Sequence, residues 1–285
     1  MQIEIDLKLE SSYNEAHVPV PFFTGTRGWG LFVRSYRPGT FDMARKDPEF
    51  IEVTYHASSL EIHLFVANHP LEIPGLYTRI SGAPAVPATW AFGTMLWRDE
   101  TKGQSEVLDD AAQIRKNDLA ISAMWIDRPY DIAVNNFTFD PVRYPNPKAM
   151  IDTLHQQGIR LGLWSTPYAE PTTKHHDTIK KNGWFVKSAL PNLNKWSAPI
   201  DFTNPKAFDF WKGLIGQYTN LGIEGFKLDY GEDIQLGLKN RRAPTTFHNG
   251  EDERTMHHKY MLYYHRAYAE KLPKTGGFLI CRGGT

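Results

Sequence analysis

The chain has 285 residues, with 32 Lys and Arg balanced by 32 Asp and Glu. That is length enough for a sizeable core in one large domain or two smaller ones. With no net charge and no basic block in either half, the sequence speaks against a nucleic-acid or membrane-surface partner. The single Cys281 excludes an internal disulfide, and no run approaches the roughly 20 apolar residues of a membrane span. Met1-Gln-Ile-Glu-Ile-Asp6 alternates with acids and does not read as a secretory leader, so a cytoplasmic location is favoured.

Residues 1–83 read as β structure. Ile3 and Ile5 alternate with acids, Trp29-Gly-Leu-Phe-Val33 follows a Gly-rich turn, and Ile51–Tyr55 and Leu60–Val66 alternate again. Short strands separated by turn residues predict part of an antiparallel β-sandwich. Ser81-Gly-Ala-Pro-Ala-Val-Pro87 then forms a joint.

From residue 84 the rhythm changes. Apolar runs at Gly93–Trp97, Ile121–Ile126, Arg160–Trp164, Gly225–Leu228 and Gly277–Cys281 alternate with helical stretches, which predicts a (β/α)8 TIM barrel under construction. Asn146-Pro and Asn204-Pro each place an N-cap before a first-turn proline, and Gly158 and Gly222 supply the stops. A third helix is expected from Thr255 to Leu272. The whole is an α+β chain: a sandwich portion at 1–83, then a partial barrel of about five strands at 84–285. A closed barrel has eight strands, and an open half would expose strand edges. The expectation is therefore a fragment of a longer protein.

The residues at the C-terminal ends of those strands carry the chemistry: Asp127, Trp164, Asp229 and Arg282, with Arg98 and Asp99 ending the first. Barrel enzymes keep their reacting groups on that rim. Alternation puts Lys227 and Asp229 on one face of their strand and Phe226 and Leu228 on the other. Taken alone, Lys227 beside Asp229 is either a structural ion pair or a tuned site. Carboxylates, an arginine and a tryptophan around one cleft suit a pyranoside.

Phe226-Lys-Leu-Asp-Tyr-Gly-Glu232 resembles the nucleophile segment of glycoside hydrolase family 31, the retaining α-glycosidases, in its α-xylosidase-like branch. The resemblance extends over most of residues 20–285 through Pro21-Phe-Phe, Arg27–Val33, Asp127, Phe137–Pro141, Tyr144–Pro147, Leu154–Gly158, Ile200–Pro205 and Phe278–Arg282, in the family's order. It implies an exo-acting hydrolase of terminal α-glycosidic bonds, needing no metal or cofactor, with an oligosaccharide or α-glycoside as partner and room for a homo-oligomer. Asp229 would attack the anomeric carbon, Lys227 and Arg282 would contact hydroxyls or hold the carboxylate, Asp127 would bind the far side of the ring, and Trp164 would wall the first subsite. A cation two residues away on the same face stabilises the negative charge such a nucleophile needs. The family's acid/base carboxyl sits on a Trp-x-Gly-Asp segment after the arginine, beyond Thr285, so this chain alone is expected to be nearly inactive. Arg128 departs from the xylosidase pattern: it either meets a polar or anionic substituent at carbon 6 or pairs with Asp131 or Asp99. The sugar, an α-xyloside, α-glucoside or α-galactoside, stays open.

Two other readings compete: a sugar-binding or regulatory relative that lacks the general acid, and an unrelated barrel enzyme using Lys227 as a Schiff base. Glu232 and Asp233 read as supporting loop residues. His257, His258 and His265 share a helix at about 100° per residue, which keeps neighbours off one face, and His175-His176 falls in a polar loop. Neither group reads as a metal site. Cys281 reads as a small core residue, and the 8 Trp, 13 Tyr and 16 Phe chiefly as core.

Overall fold

The computed structural model describes residues 2–4, 8–10, 20–188, 196–231, 237–238, 241–242 and 244–283. Glu232, Asp233 and Gly284 lie outside them. The N-terminal part is antiparallel. β1 (Phe22–Gly25), β2 (Trp29–Arg34) and β5 (Glu61–Val66) form one sheet, and β3 (Gly39–Met43) and β4 (Ile51–Tyr55) form a second. Sequence alternation located β2, β4 and β5 and passed over β1 and β3. It also passed over α1 (Ile73–Ser81), which Pro70, Pro74 and Gly75 disguise as loop; the prolines are tolerated because they stand in first turns. Residues 82–88 carry no regular structure.

A five-stranded parallel sheet follows, built from β6 (Thr94–Arg98), β7 (Ile121–Ile126), β8 (Arg160–Ser165), β9 (Gly225–Leu228) and β10 (Phe278–Cys281) in spatial order identical to chain order. This is the first half of a TIM barrel behind a portion of antiparallel sandwich. Helices α2 (Gln104–Lys116), α3 (Pro147–Gln156), α4 (Lys174–Lys181), α5 (Pro205–Leu221) and α6 (Glu253–Ala269) provide the crossovers. No described helix is long and apolar enough to cross a membrane.

The core lies between sheet and helices. Ile126, Leu161, Leu163 and Leu228 are fully buried against Met150, Ile151, Leu154, Trp211 and Ile215. The alternate residues face the barrel interior, where Gly162 stands opposite Trp125 and Gly225 in register. A β-carbon on Gly162 would come within 3.3 Å of Trp125 Cβ and 3.4 Å of the Gly225 carbonyl, so glycine there lets the neighbouring strands approach without crowding. Because α4 is short and polar, its sequence reads as loop. In the structure Thr173 caps it through the His176 N–H, and His175 is buried with Nε2 3.1 Å from the Asn136 carbonyl. Cys281 is exposed at the open edge of the sheet, not in the core as expected, because no described strand pairs beyond β10; the surrounding chain still pushes its thiol up to about 11.

The two Asn-Pro signals differ. Asn204 Oδ1 accepts the Lys206 N–H at 3.0 Å, whereas the Asn146 side chain makes no capping bond. Asn204→Ala should therefore lower stability by about 1 kcal/mol and Asn146→Ala by a few tenths at most, read from urea unfolding midpoints. Equal losses would contradict the assignment.

Candidate functional site

Asp229 follows β9 directly, and its backbone N–H donates to the Ser165 carbonyl at 2.9 Å, extending the parallel ladder to the rim. Asp127 and Arg282 are held in the same way, donating to the Arg98 and Leu228 carbonyls. The register that pairs Trp164 with Lys227 and Lys227 with Ile280 then aims the inward side chains of β8 and β9 at a common point. Phe226 and Leu228 point the other way, into the buried core.

At that point Lys227 Nζ lies 2.8 Å from Asp127 Oδ2 and 3.7 Å from Asp229 Oδ2. The carboxylates are nearly buried, at 3% exposure for Asp127 and 9% for Asp229, so each charge needs several donors to offset lost hydration. Asp229 has them. Oδ2 accepts the Trp164 indole N–H at 2.8 Å, Oδ1 accepts the Tyr230 backbone N–H at 3.1 Å, and Arg282 Nη1 stands 2.9 Å from Oδ1. Asp127 Oδ2 also accepts the Trp97 indole N–H at 2.8 Å, and the Lys227 ammonium sits 5.5 Å over the same indole. Lys227 is thus a cation shared between carboxylates, an electrostatic brace rather than an amine set out for a carbonyl.

Tyr230 adopts φ +61°, the left-handed region that costs a non-glycine residue roughly 1–2 kcal/mol. That turn lets its N–H reach back to the carboxylate. Its ring underlies Arg282, 4.2 Å from the guanidinium carbon. Beneath the rim, Ser165 Oγ donates to Asn135 Oδ1 at 2.7 Å and meets the Tyr268 hydroxyl at 2.5 Å, while Asn135 Nδ2 donates to the Thr166 carbonyl at 2.8 Å. This buried network ties the loop after β7 to the end of β8 and to α6.

All six residues expected at the site are on the same rim. Trp164 is 4% exposed, so its contribution seen here is the indole N–H on Asp229. Arg128 pairs with neither Asp131 nor Asp99; its guanidinium carbon lies 5.7 Å from the Trp164 ring centre and 5.9 Å from that of Trp196. Arg98 turns outward to make a two-pronged pair with Asp110 of α2. Trp97, Trp196 and Tyr230 were not anticipated as site residues. Trp97 alone left a signal, as the last apolar residue of its strand.

Among the described residues no cluster of His, Cys, Asp and Glu is placed to hold a metal ion. Burial draws His265 down to about 4. Asp131, 9% exposed behind the rim with its Oδ2 accepting the Asn136 N–H, is pushed up by burial to about 7.

The chain is similar to known proteins over most of its length. The family model described as the glycosyl hydrolases family 31 TIM-barrel domain matches residues 84–285. An α-xylosidase of Emericella nidulans is 26% identical over 274 residues, covering 92% of this chain and 34% of the relative. An α-glucosidase of Saccharolobus solfataricus is 26% identical over 229 residues, covering 76% and 32%. Among solved structures, a family 31 dextranase of Flavobacterium johnsoniae complexed with glucose superposes with a TM-score of 0.80 at 20% identity, over 93% of this chain and 34% of that one. A family 31 α-xylosidase from a soil metagenome complexed with xylose gives 0.72 at 22%, over 89% and 38%. At such identities the structural likeness bears on the fold, and the chain spans about a third of the length of these curated relatives.

Lys227→Met should destabilise the protein by about 3–5 kcal/mol, since it leaves the nearly buried Asp127 without its cation and Asp229 with one fewer; an unchanged unfolding midpoint would contradict the shared brace. For Asp131 the folded state holds a proton that the unfolded state releases near its ordinary value, 3.8. Stability should therefore fall as pH rises from about 4 to about 7, with a slope approaching ~1.4 kcal/mol per pH unit. Comparing unfolding of Asp131→Asn and wild type across that range isolates the effect, and parallel curves would refute it.

Proposed function

The chain belongs to glycosyl hydrolase family 31, and from that membership we propose that it carries the nucleophile half of a retaining, exo-acting α-glycosidase, with a sandwich portion at 1–83 ahead of the barrel half at 84–285. The observation that carries the reading is the Asp229 carboxylate, held at the strand ends by Trp164, Tyr230 and Arg282 with Lys227 bridging it to Asp127. In the first step an Asp229 oxygen attacks the anomeric carbon. The C1–O bond to the leaving group breaks, its electron pair goes to the departing oxygen, and a general acid supplies the proton. The products are a covalent glycosyl ester on Asp229 and the free alcohol. Water, deprotonated by the same group, then cleaves the ester and restores the α configuration.

In this reading the donors around Asp229 hold one geometry and stabilise the departing carboxylate in the second step. Asp127 and Lys227 anchor sugar hydroxyls at the other end of the ring, with Trp164 and Arg282 fixing the nucleophile. No carboxyl group of the described residues is given the acid/base role; in retaining enzymes that group lies roughly 5 Å from the nucleophile. The relatives named as α-xylosidase and α-glucosidase support a small α-glycoside as substrate.

In the full-length protein, Asp229→Ala should lower hydrolysis of aryl α-glycosides by on the order of 10⁵-fold, and NMR of the wild-type reaction should show the α-anomer of the sugar as first product. An unchanged rate, or the β-anomer first, would overturn the assignment. Sugar binding with no turnover on aryl α-xyloside, α-glucoside or α-galactoside would instead favour a non-catalytic sugar binder.

A further inference from the structure

Among the described residues around Asp229, Lys227 and Arg282 match the carboxylates of Asp127 and Asp229. Arg128 is the remainder. It is exposed, and among the described residues it makes no ion pair. Of the acids beside it, Asp127 Oδ2 is engaged by Trp97 and Lys227 and Asp131 by the Asn136 N–H, while Asp99 accepts the Arg128 backbone N–H through its carbonyl and makes no ion pair with the guanidinium.

An unpaired surface arginine is ordinarily just solvated. Arg128 differs in being held. Trp164 and Trp196 are both nearly buried, their rings 5.8 Å apart at 69°, and the guanidinium lies within 6 Å of each. An aromatic face attracts a cation without using its N–H donors, which radiate in the guanidinium plane. The planar fork is therefore oriented by the two rings while its donors stay available. It is also tied to the chemistry twice: through the chain to Asp127, and through Trp164, whose indole N–H is on Asp229.

We propose that Arg128 is a specificity-determining residue for an anionic substrate, a terminal α-glycoside whose ring carries a carboxylate at carbon 6. This inference rests on the glycosidase reading above. A carboxylate matches the guanidinium fork with two parallel hydrogen bonds, and it brings a negative charge to a guanidinium that forms no ion pair among the described residues. Carbon 6 is where a pyranose bears a carboxylate with its ring closed. A neutral hydroxymethyl group there would displace water from the guanidinium without matching its charge.

The test compares kcat/KM of the full-length protein on para-nitrophenyl α-glucuronide and para-nitrophenyl α-glucoside, with titration calorimetry of glucuronic acid and glucose alongside. Wild type should prefer the glucuronide by at least about tenfold. Arg128→Met should cost the glucuronide about 100-fold, lowering the anionic-to-neutral ratio at least tenfold, and Arg128→Lys should restore part of the loss because it returns the charge without the fork. A wild type that prefers the glucoside, or a variant that loses both substrates in equal proportion, overturns the proposal and leaves the glycosidase reading standing. Turnover of an aryl α-xyloside or α-galactoside but of neither of these overturns the proposal alone, and if none of the four turns over, the glycosidase reading fails. Calorimetry then decides the remaining point: tighter binding of glucuronic acid that Arg128→Met abolishes supports the anionic subsite, and equal binding of the two sugars ends it.

Discussion

The ammonium of Lys227, 2.8 Å from one nearly buried carboxylate and 3.7 Å from another, is the interaction around which the rim is organised. Bringing Asp127 and Asp229 together out of water is unfavourable twice over, through lost hydration and mutual repulsion. One shared cation cannot satisfy all their lone pairs. The rest of the site follows from that deficit: two indole N–H groups, a backbone N–H and a second cation complete the set. Each donor comes from a different part of the chain, so the arrangement exists only in the assembled sheet.

The sheet in turn must be in one register. Side chains alternate along a strand, and a slip of a single residue would send Trp164 and Lys227 into the helix layer and Leu163 and Leu228 into the barrel. What prevents it is the uncompromising apolarity of the outer face, where Leu161, Leu163 and Leu228 are fully buried. The inner face is held by size: Gly162 stands against Trp125, and Gly225 against the Phe278 carbonyl and the Trp90 ring. Polar function on one side of the strands is therefore made possible by strict hydrophobic packing on the other.

Much of this was legible in the sequence, because parallel buried strands are continuous apolar runs. Ile121–Ile126 and Gly225–Leu228 were readable to the residue, and the charged alternation of Lys227 and Asp229 marked the inner face. Elements that stabilise by tertiary contact left little trace. The α4 helix is polar over most of its length and gains its place from His175 and Ile179, while α1 carries two breakers near its start. Within the site, the strand-end rule gave Asp127, Trp164, Asp229 and Arg282. It could not give Trp196, which reaches the rim from a connection, nor tell that Arg98 would turn outward to Asp110. Which residues end strands is local information; which partner a side chain chooses is not.

Tyr230 joins two requirements that would pull a substitution in opposite directions. The left-handed turn at φ +61° that brings its N–H to Asp229 would be relieved by glycine, yet its ring is the platform under Arg282. Glycine would relax the backbone and remove the platform under the cation; a β-branched residue would keep bulk but resist the turn. An unbranched aromatic that accepts the strain answers both demands. Position 230 thus has a narrow choice of residue although its side chain makes no direct hydrogen bond to the carboxylate, and an engineered change of substrate would do better to begin elsewhere on the rim.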